Sequence, residues 1–517
     1  MGFTKHGDYA LRDQVRNIII TASAHQLLST QWLIGLAPSS FWGARYPAEK
    51  RPFNPAAAGE ALIAACKAKG PFNPARIRGR GFWLENGQVV ANLGGPIPSG
   101  LKHQYLCFDP IPLDPAASFD TARLLELLKL FRWRNPRHAI SLLGWLAIAP
   151  ICGILPWRPH CFVYGPPKSG KSTLHTLASN ILAPLAISTT GDSSEAGIRQ
   201  SVGPDSLPVI IDEFESDQRR SRQQAIVMLA RSASSGEVPV LRGTPEGKAM
   251  QFSLRVTFFF SGINPAGLSP ADATRILLLE LQMHDNDPEI GSRIAAELAA
   301  FADLGPSWCA YMASNALEIP RTKDAFEFAL PGIDARLRTN VATILAGAFV
   351  ALHGRAPTAQ EAADRAADFA ETIAAHADDF DRDDASECLH HLFAYVIDRA
   401  PVSHWLSKEA NDPSDDAKRA GAQVIDSLDI VLRLKGEEPG VFLTRGSPGL
   451  NRIFEKTKWA DGAWVHAIKK LPDAFVPKNP VYFPTMNAKA RAIGIPLDLL
   501  PETSDYVGGG YNGTPTY

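Results

Sequence analysis

Apolar residues along this chain fall into short runs typical of buried strands and into longer stretches with helical spacing. Between residues 159 and 285 the two kinds alternate, with the strand-like runs HCFVY, LPVIID and RVTFFFSG followed or preceded by helical stretches. This alternation is the pattern of an α/β unit. The region therefore predicts a compact α/β domain over 159–285.

The flanking regions have different patterns. Residues 1–118 are rich in Pro, Gly and aromatic residues, and GFWLENGQVVANLGG (81–95) predicts a hairpin that turns at Asn86-Gly87. We expect a β-rich module there, a helical linker or collar over 119–158 that Ser118 can cap, and a helical domain over 286–410. ANDPSDDAKRAG (410–421) predicts a linker, 422–500 a small winged-helix-like unit, and 501–517 a flexible end.

One uncharged apolar segment needs a separate interpretation. AISLLGWLAIAPICGILP (139–156) is at the lower limit of length for a membrane span. It contains Pro150 and two glycines, and it leads directly into the first strand of the α/β region. We therefore expect a buried helical hairpin and no membrane association.

Composition narrows the class of protein without identifying it. Of 517 residues, 45% are apolar and 21% are charged, and the formal net charge is −2. These values are typical of a globular chain and exclude a uniformly basic, nucleic-acid-coating protein. The six cysteines form no CxxC pair, which argues against a zinc ribbon and fits the reducing cytoplasm. MGFTKHGDYALRDQ has no signal-peptide layout.

A phosphate-binding loop lies between an apolar run and a helical pattern. Its residues follow the spacing G-x-x-x-x-G-K-[ST]: Gly165, Pro166, Pro167, Lys168, Ser169, Gly170, Lys171, Ser172 and then Thr173. Glycines let backbone N–H groups surround phosphates, and the following helix directs its positive end at the same anion. We expect Lys171 to bridge the β- and γ-phosphates of ATP and the Ser172 hydroxyl to bind Mg²⁺. The alternative is a plain Gly/Ser turn, which would not need the lysine.

A second acidic motif ends a buried strand about forty residues later. LPVIIDEFE (207–215) places Asp212 and Glu213 where a parallel sheet presents ligands, at the carboxyl ends of its strands. Asp212 would hold the Mg²⁺ shell, and Glu213 would polarise the attacking water. The alternative is a chance acidic cap.

The next strand and the segment after it supply two further candidates. RVTFFFSGINP (255–265) ends with Asn264, whose amide can position the lytic water. SPADATRILLLEL (269–281) places Arg275 three residues after Asp272. Arg275 could stabilise transition-state charge from a neighbouring subunit. A salt bridge with Asp272 on one helix face is the alternative, and the spacing alone does not decide.

A β-hairpin is predicted between the acidic strand and the Asn264 strand. VPVLRGTPEGKAMQFSLRV (238–256) alternates at both ends and has turn residues in the middle. Lys248 lies near the tip and Arg242 on the stem. Either could grip DNA phosphates, but a solvent-facing turn with a lysine is equally compatible.

Together these motifs resemble the helicase superfamily III group of AAA+ ATPases, and in particular the replication helicases of phages, plasmids and mobile elements (poxvirus and P4-type primase-helicases and the self-loading helicases of mobile cassettes). The likeness covers about residues 140–285, with GPPKSGKS as Walker A, IIDEFE as Walker B, the Lys248 hairpin, FFFSGIN as sensor 1 and DATR as the arginine-finger region. It implies a homo-hexameric ring with ATP and Mg²⁺ between subunits and single- or double-stranded DNA in the centre. Arg275 would then act across the interface, with Arg199 and Arg231 as weaker interfacial candidates.

Two further regions could contact DNA. Arg76, Arg78 and Arg80 with Phe82 and Trp83 could hold single-stranded DNA by charge and stacking, although a β core with exposed arginines is the favoured interpretation. Bases outnumber acids nine to four between Val441 and Leu500. In this region the lysines could face duplex phosphates: Lys456, Lys458, Lys469 and Lys470. Trp459 and Trp464 would form the core. Asp109 and Asp114 lack the spacing of a primase metal pair.

Two other functions remain open from the sequence. An ATP-switched assembly or remodelling platform would share the ATP site and would not need Lys248. A small-molecule P-loop kinase would use the same loop without an inter-subunit arginine. The leading hypothesis is an ATP-driven DNA translocase.

Overall fold

The computed structural model divides the chain into two compact units, residues 1–370 and residues 371–517. The described residues are 1–4, 6–114, 119–214, 220–236, 240–243, 249–252, 254–263, 265, 268, 272, 274–283, 287–330, 332–411, 414–455, 457 and 459–500. For residues 220–221, 240–243, 249–252, 370–383 and 411 only the backbone is described.

The N-terminal part of the first unit mixes strands with helices, where the sequence predicted a β-rich module. Helix α4 explains much of the difference, because an Ala-rich run follows Asn54, whose side chain caps the helix, and Pro55 occupies its first turn. The elements are β1 (Gly2–Phe3), β2 (Tyr9–Asp13), β3 (Ile18–Ala22), α1 (Ala24–Leu27), α2 (Thr30–Leu36), α3 (Ser39–Arg45), α4 (Pro55–Lys69), β4 (Ile77–Arg78), β5 (Gly81–Glu85), β6 (Gln88–Asn92) and β7 (Gln104–Tyr105), with a 3₁₀ turn at Pro74–Arg76.

The hairpin predicted at 81–95 is confirmed. Strands β5 and β6 pair antiparallel, with Glu85 opposite Gln88. The two residues between them, Asn86 and Gly87, have φ values of 52° and 75°. Positive φ at both central positions is the backbone of a two-residue hairpin turn, and Asn-Gly adopts it at little cost.

The segment 119–158 contains two helices. Helix α5 (Thr121–Lys129) is capped by Asp120, while Ser118 lies outside the described residues. The apolar segment forms one buried helix, α6 (His138–Ile148), and then turns, so the expected helical hairpin is not present. Pro150 follows directly and cannot continue a helix, because proline lacks the backbone N–H and clashes with the preceding turn.

A five-stranded parallel sheet forms the centre of the first unit and confirms the α/β class. Its strands lie in the order β14-β8-β13-β10-β9. Strand β13 lies between β8 and β10, with Phe260 level with Phe162 and Ile211. The elements of this region are β8 (His160–Tyr164), α7 (Lys171–Leu182), β9 (Ile187–Thr190), α8 (Glu195–Val202), β10 (Val209–Asp212), α9 (Arg220–Ser235), β11 (Val240–Gly243), β12 (Ala249–Phe252), β13 (Phe258–Gly262) and β14 (Ile276–Glu280).

A run of helices follows the sheet: α10 (Pro288–Ala300), α11 (Gly305–Ser314), α12 (Glu318–Ala329), α13 (Ala335–His353) and α14 (Ala359–Ala394). Helices α6 and α13 pack closely at two glycines. A Cβ on Gly144 would lie 2.2 Å from the Ile344 carbonyl oxygen, and one on Gly347 would lie 2.4 Å from the Gly144 carbonyl oxygen. By length and composition α13 could cross a membrane, but 67% of its apolar window is buried within the protein. Core packing accounts for its apolar composition.

The second unit has its own core. Helices cover most of the stretch predicted as a linker at 410–421, because Ser414 caps α16 and two aspartates in its first turn complement the helix dipole. Trp464 is fully buried and Trp459 is 8% exposed within this core, as predicted. The elements are β15 (Val396–Ile397), β16 (Ala400–Pro401), α15 (Val402–Asn411), α16 (Asp415–Asp426), β17 (Ile430–Arg433), β18 (Gly440–Leu443), α17 (Pro448–Phe454), α18 (Trp464–Ile468), β19 (Val481–Phe483), β20 (Ala488–Ala490) and β21 (Ile493–Ile495), with a 3₁₀ turn at Leu497–Leu499.

Candidate nucleotide-binding site

The phosphate loop connects the carboxyl end of β8 to the start of α7, as its sequence context predicts. Gly165 lies so close to β14 that a Cβ there would be 2.3 Å from the Leu281 carbonyl oxygen. Lys168 and Gly170 both have left-handed φ values, 63° and 92°. Such alternation of backbone conformation turns consecutive N–H groups toward a common centre and forms an anion-binding concavity.

Lys171 is the first residue of α7, and its ammonium group is held at the loop. Lys171 Nζ donates to the carbonyl oxygens of Gly165 and Pro166 at 2.7 and 2.8 Å. The charge therefore lies over the same concavity as the loop N–H groups and the positive end of α7. This arrangement can bind a polyphosphate.

Asp212 ends strand β10 and is fixed by its neighbour in the sheet. Ser261 on β13 donates to Asp212, with 2.5 Å between Ser261 Oγ and Asp212 Oδ1. The backbone N–H of Glu213 donates to the same oxygen at 3.0 Å. The second oxygen, Oδ2, lies 3.8 Å from His175 Nδ1 on α7. One carboxylate oxygen is therefore held by the protein, and the carboxylate is directed to the edge where the phosphate loop ends.

Glu213, the residue that follows β10, has an unusual backbone conformation. Its φ is 52°, a left-handed value that costs a non-glycine residue about 1 kcal/mol or more. The next residue, Phe214, is buried between the rings of Phe162 and Phe260. Because Phe214 turns into the core, the Glu213 side chain is left exposed at the site.

These residues line one cavity of about 380 Å³ at the carboxyl edge of the sheet. Its oxygen donors include the Ser172 hydroxyl and the Asp212 carboxylate, which are the ligand types that Mg²⁺ prefers. The side chains present therefore fit a magnesium ion that is also held by phosphates. The lining residues are Pro167, Lys168, Ser169, Gly170, Lys171, Ser172, Thr173, Asp212, Glu213, Ser261, Gly262 and Ile263.

The side chains of three predicted site residues are not described. Asn264 and Lys248 lie outside the described residues. Arg242 lies on β11, which pairs antiparallel with β12 as the hairpin prediction requires; its side chain is not described.

Arg275 lies at the opposite edge of the sheet from the phosphate loop. Its carbonyl oxygen accepts from the N–H of His160, the first residue of β8. Since β8 runs from His160 to Tyr164 before the loop begins, its length of roughly 16 Å separates the two positions. The Arg275 guanidinium lies over Trp157, 5.9 Å from the ring centroid. Arg275 is therefore not part of the cavity formed by its own protomer.

The two weaker interfacial candidates are engaged within the chain. Arg199 is buried, 8% exposed, and its Nε donates to Glu195 one helical turn earlier at 3.2 Å. Arg231 donates from Nε and Nη2 to the buried Asp272 carboxylate, at 2.9 and 2.5 Å. Asp272, the residue predicted as the alternative partner of Arg275, thus pairs with Arg231. Most of the Arg199 side chain is thus covered within its own protomer.

The two aromatic residues predicted to stack on DNA bases are buried. Phe82 and Trp83 are 2% and 4% exposed, and neither ring can stack on a base. Arg78 lies over the Trp83 ring at 4.7 Å. Arg80 is paired with Asp205 at 2.8 Å. Of the C-terminal lysines, Lys469 and Lys470 are exposed, and Lys456 and Lys458 lie outside the described residues.

Sequence reasoning missed Ser261 and His175. Ser261 precedes the expected Asn264 by three residues, and only its pairing with Asp212 marks it as part of the site. His175 lies four residues after Lys171, so helical spacing alone would have placed it on the loop-facing side of α7. Its Nε2 is buried and makes no hydrogen bond with the described residues.

The fold resembles that of a solved helicase. The chain is similar to the active helicase Cch of SCCmec type IV, with a TM-score of 0.50 and 13% identity, over 88% of this chain and 85% of that one. At this identity the likeness shows a shared fold. The C-terminal region of NrS-1 in its apo form aligns over 93% of this chain and 91% of that chain, with a TM-score of 0.33 and 11% identity, which is too low for any conclusion. No protein-family model and no curated protein matches the chain.

Proposed function

We propose that this chain is an ATP-dependent DNA helicase or translocase that works as a hexameric ring in the replication of a phage or mobile element. One observation carries the proposal: the phosphate loop with Lys171 and the acidic pair Asp212-Glu213 line one cavity at the carboxyl edge of a parallel sheet. This combination suits polyphosphate binding and hydrolysis.

Each residue has a proposed role in hydrolysis. Lys171 and the loop N–H groups bind the β- and γ-phosphates, and Ser172 and Asp212 hold Mg²⁺. When bound, the ion neutralises charge on the phosphates. Glu213, exposed beside the cavity, orients and polarises the attacking water. Asn264 is proposed to help position that water.

Assembly into a ring is supported by the position of Arg275. Hydrolysis of a triphosphate is strongly accelerated when an arginine stabilises the transferred phosphoryl group. Arg275 lies at the amino edge of the sheet, the edge opposite the phosphate loop. In a head-to-tail ring, that edge of one protomer can face the cavity of the next. We therefore propose that Arg275 acts in trans.

Action on DNA rests on the hairpin and on the fold. Strands β11 and β12 form an antiparallel pair. In the sequence this pair follows β10 and precedes β13, and Lys248 falls between its two strands. We propose that Lys248 and Arg242 contact DNA phosphates and that the C-terminal unit, with Lys469 and Lys470 exposed, contacts duplex DNA as a winged-helix-like domain. A fold shared with an active helicase supports this choice over an ATP-switched platform.

The test is the ATPase rate with and without single-stranded DNA. Wild type should be stimulated by DNA, and Lys248→Ala should lose the stimulation while nucleotide binding is retained. Lys50→Ala, which removes an exposed lysine elsewhere, is the matched control. A wild type that forms rings but hydrolyses ATP at the same rate with and without DNA would support the platform instead, and a monomer that phosphorylates a metabolite would support a kinase.

A further inference from the structure

The backbone of Glu213 lies between the ends of the two strands that flank β10 in the sheet, β9 on one side and β13 on the other. Gly191 is the residue that follows β9, and Gly262 is the last residue of β13. A Cβ on Gly191 would lie 2.4 Å from the Glu213 carbonyl oxygen, and one on Gly262 would lie 2.6 Å from the Phe214 carbonyl oxygen. A side chain at either glycine would therefore displace the backbone of Glu213 or Phe214.

Hydrogen bonds hold the same stretch of backbone from both sides. The N–H of Gly191 donates to the Asp212 carbonyl oxygen at 2.8 Å, and the N–H of Phe214 donates to the Ser261 carbonyl oxygen at 2.7 Å. Between these two bonds, the N–H of Glu213 donates to the Asp212 side chain. The peptide groups before and after Glu213 are thus fixed by the neighbouring strands.

This enclosure explains how Glu213 keeps a left-handed φ of 52°. A Cβ crowds the following carbonyl oxygen in that conformation, which therefore persists only where the surrounding structure imposes it, and such positions are concentrated at active sites. The φ of Gly191 itself lies outside the left-handed range. The close approach to Glu213, and not the conformation of Gly191, is therefore what requires glycine there.

We propose that Gly191 is a positioning residue for hydrolysis. Because it has no side chain, the end of β9 can approach β10 closely enough to hold Glu213 in the left-handed turn that presents its carboxylate to the attacking water. Gly191 is not among the residues that line the cavity, so it acts through Glu213 and not on the nucleotide. This inference rests on the proposed ATPase and on the role proposed for Glu213.

The first experiment measures kcat and the affinity for ATP in Gly191→Ala. A displacement of about 1 Å at a catalytic group costs about 100-fold in rate, so kcat should fall by about that factor. The affinity for ATP should stay close to that of wild type, because Lys171 and the phosphate loop are unchanged. Gly291→Ala is the matched control and should keep wild-type kcat, since a Cβ at this exposed position on α10 would meet no atom within 4 Å.

The double variant Gly191→Ala/Glu213→Gln decides whether Gly191 acts through Glu213. Once Glu213→Gln has removed the carboxylate, the position of this side chain no longer affects water activation. Adding Gly191→Ala should therefore not lower the remaining rate, and the two effects should be strongly non-additive. A general disturbance of the fold would instead lower the rate by the same factor with and without Glu213→Gln.

A second comparison tests the left-handed backbone with Gly191 unchanged. Asparagine adopts positive φ more readily than other residues that carry a side chain. Glu213→Asn and Glu213→Gln both replace the carboxylate with an amide. Because the flanking strands impose the left-handed conformation, Glu213→Asn should unfold at a higher temperature than Glu213→Gln. This comparison decides the matter by itself if Gly191→Ala does not fold.

Four results would overturn the inference. They are wild-type kcat in Gly191→Ala, loss of ATP binding in a folded Gly191→Ala, equal loss of rate from Gly191→Ala with and without Glu213→Gln, and a midpoint for Glu213→Asn no higher than that for Glu213→Gln. Each leaves the proposed function intact, because wild type would still hydrolyse ATP with DNA stimulation. A wild type that does not hydrolyse ATP would overturn both the inference and the proposed function.

Discussion

Ser261 donates a hydrogen bond to Asp212 across adjacent strands, at 2.5 Å between Ser261 Oγ and Asp212 Oδ1. The bond connects β13 to the end of β10 at the edge of the sheet where the phosphate loop lies. It leaves the second oxygen of the carboxylate for another partner. The orientation of Asp212, the proposed magnesium ligand, is thus fixed by a side chain from β13, the neighbouring strand in the sheet.

We predict that Ser261→Ala weakens Mg²⁺-dependent hydrolysis. A hydrogen bond to a charged group contributes about 1.5–3 kcal/mol, so the apparent Mg²⁺ affinity should fall about 10- to 150-fold. The measurement is ATPase rate and nucleotide binding across a Mg²⁺ titration. Ser314→Ala, an exposed serine at the end of α11, is the control. An unchanged titration for Ser261→Ala would show that Asp212 does not need this bond.

Lys171→Ala should remove nucleotide binding. Loss of a cation that contacts phosphates in a partly enclosed site costs about 2–5 kcal/mol, so the Kd for ATP should rise about 30-fold or more. Binding of a fluorescent ATP analogue would measure it, with the exposed Lys435→Ala as control. Retained affinity would refute the assignment of the loop.

Glu213→Gln should bind ATP and hydrolyse it slowly. Glutamine keeps the size of the side chain but cannot accept a proton, and loss of a general base typically costs about 10²–10⁴-fold in rate. Single-turnover hydrolysis should therefore be slowed, while the equilibrium affinity for ATP should stay close to that of wild type. Glu126→Gln, at an exposed carboxylate on α5, is the matched control. Near-normal turnover in Glu213→Gln would move the water-activating role to another residue.

Glu85 should stabilise the N-terminal region in a pH-dependent way. Burial raises the pKa of Glu85, but hydrogen bonds from Tyr105, His103 and two backbone N–H groups outweigh it and lower the pKa to about 2. A depressed carboxyl pKa gives stability that is present above the unfolded pKa of 4.5 and is lost as the pH falls toward 2.

Glu85→Gln should accordingly destabilise this region by about 2 kcal/mol at pH 7, and the difference from wild type should shrink as the pH falls below 4.5. Hydrogen exchange in peptides covering β5 and β6 would measure it. Tyr105→Phe, which removes one of the four hydrogen bonds, should have a smaller effect. Equal exchange in wild type and Glu85→Gln at pH 7 would contradict the prediction.

Glu409 should have the opposite effect in the second unit. Burial and the nearby Asp426 raise the pKa of Glu409 to about 7. Because the folded pKa is above the unfolded value of 4.5, the stability that Glu409 provides when protonated is lost as the pH rises through 7. Glu409→Gln should raise the thermal unfolding midpoint at pH 8 and have little effect at pH 5. The exposed Glu437→Gln removes the same charge and should change neither value; a midpoint for Glu409→Gln that is lowered at pH 8 would contradict this.

The features that the sequence by itself determined are local. The phosphate loop follows from glycines and a lysine within eight residues, where only glycine fits the close approach at Gly165. The Asn86-Gly87 turn follows from two residues that tolerate positive φ. Short apolar runs were enough to predict β8, β10 and β13, because strands buried on both faces are apolar throughout. The edge strand β9, with the sequence ISTT, has no such run and was not predicted.

Only the tertiary structure decided which distant residues meet. The order of strands inserts β13 beside β10 and so brings Ser261 to Asp212, 49 residues apart. The same sheet places Arg275 at the edge away from Lys171, and the packing of α13 brings Asn340 to Trp157, over whose ring the Arg275 guanidinium lies. Burial likewise removed Phe82 and Trp83 from any role in stacking. These outcomes depend on long-range packing, and the residues concerned carry no local signal because their neighbours in the chain are not their neighbours in space.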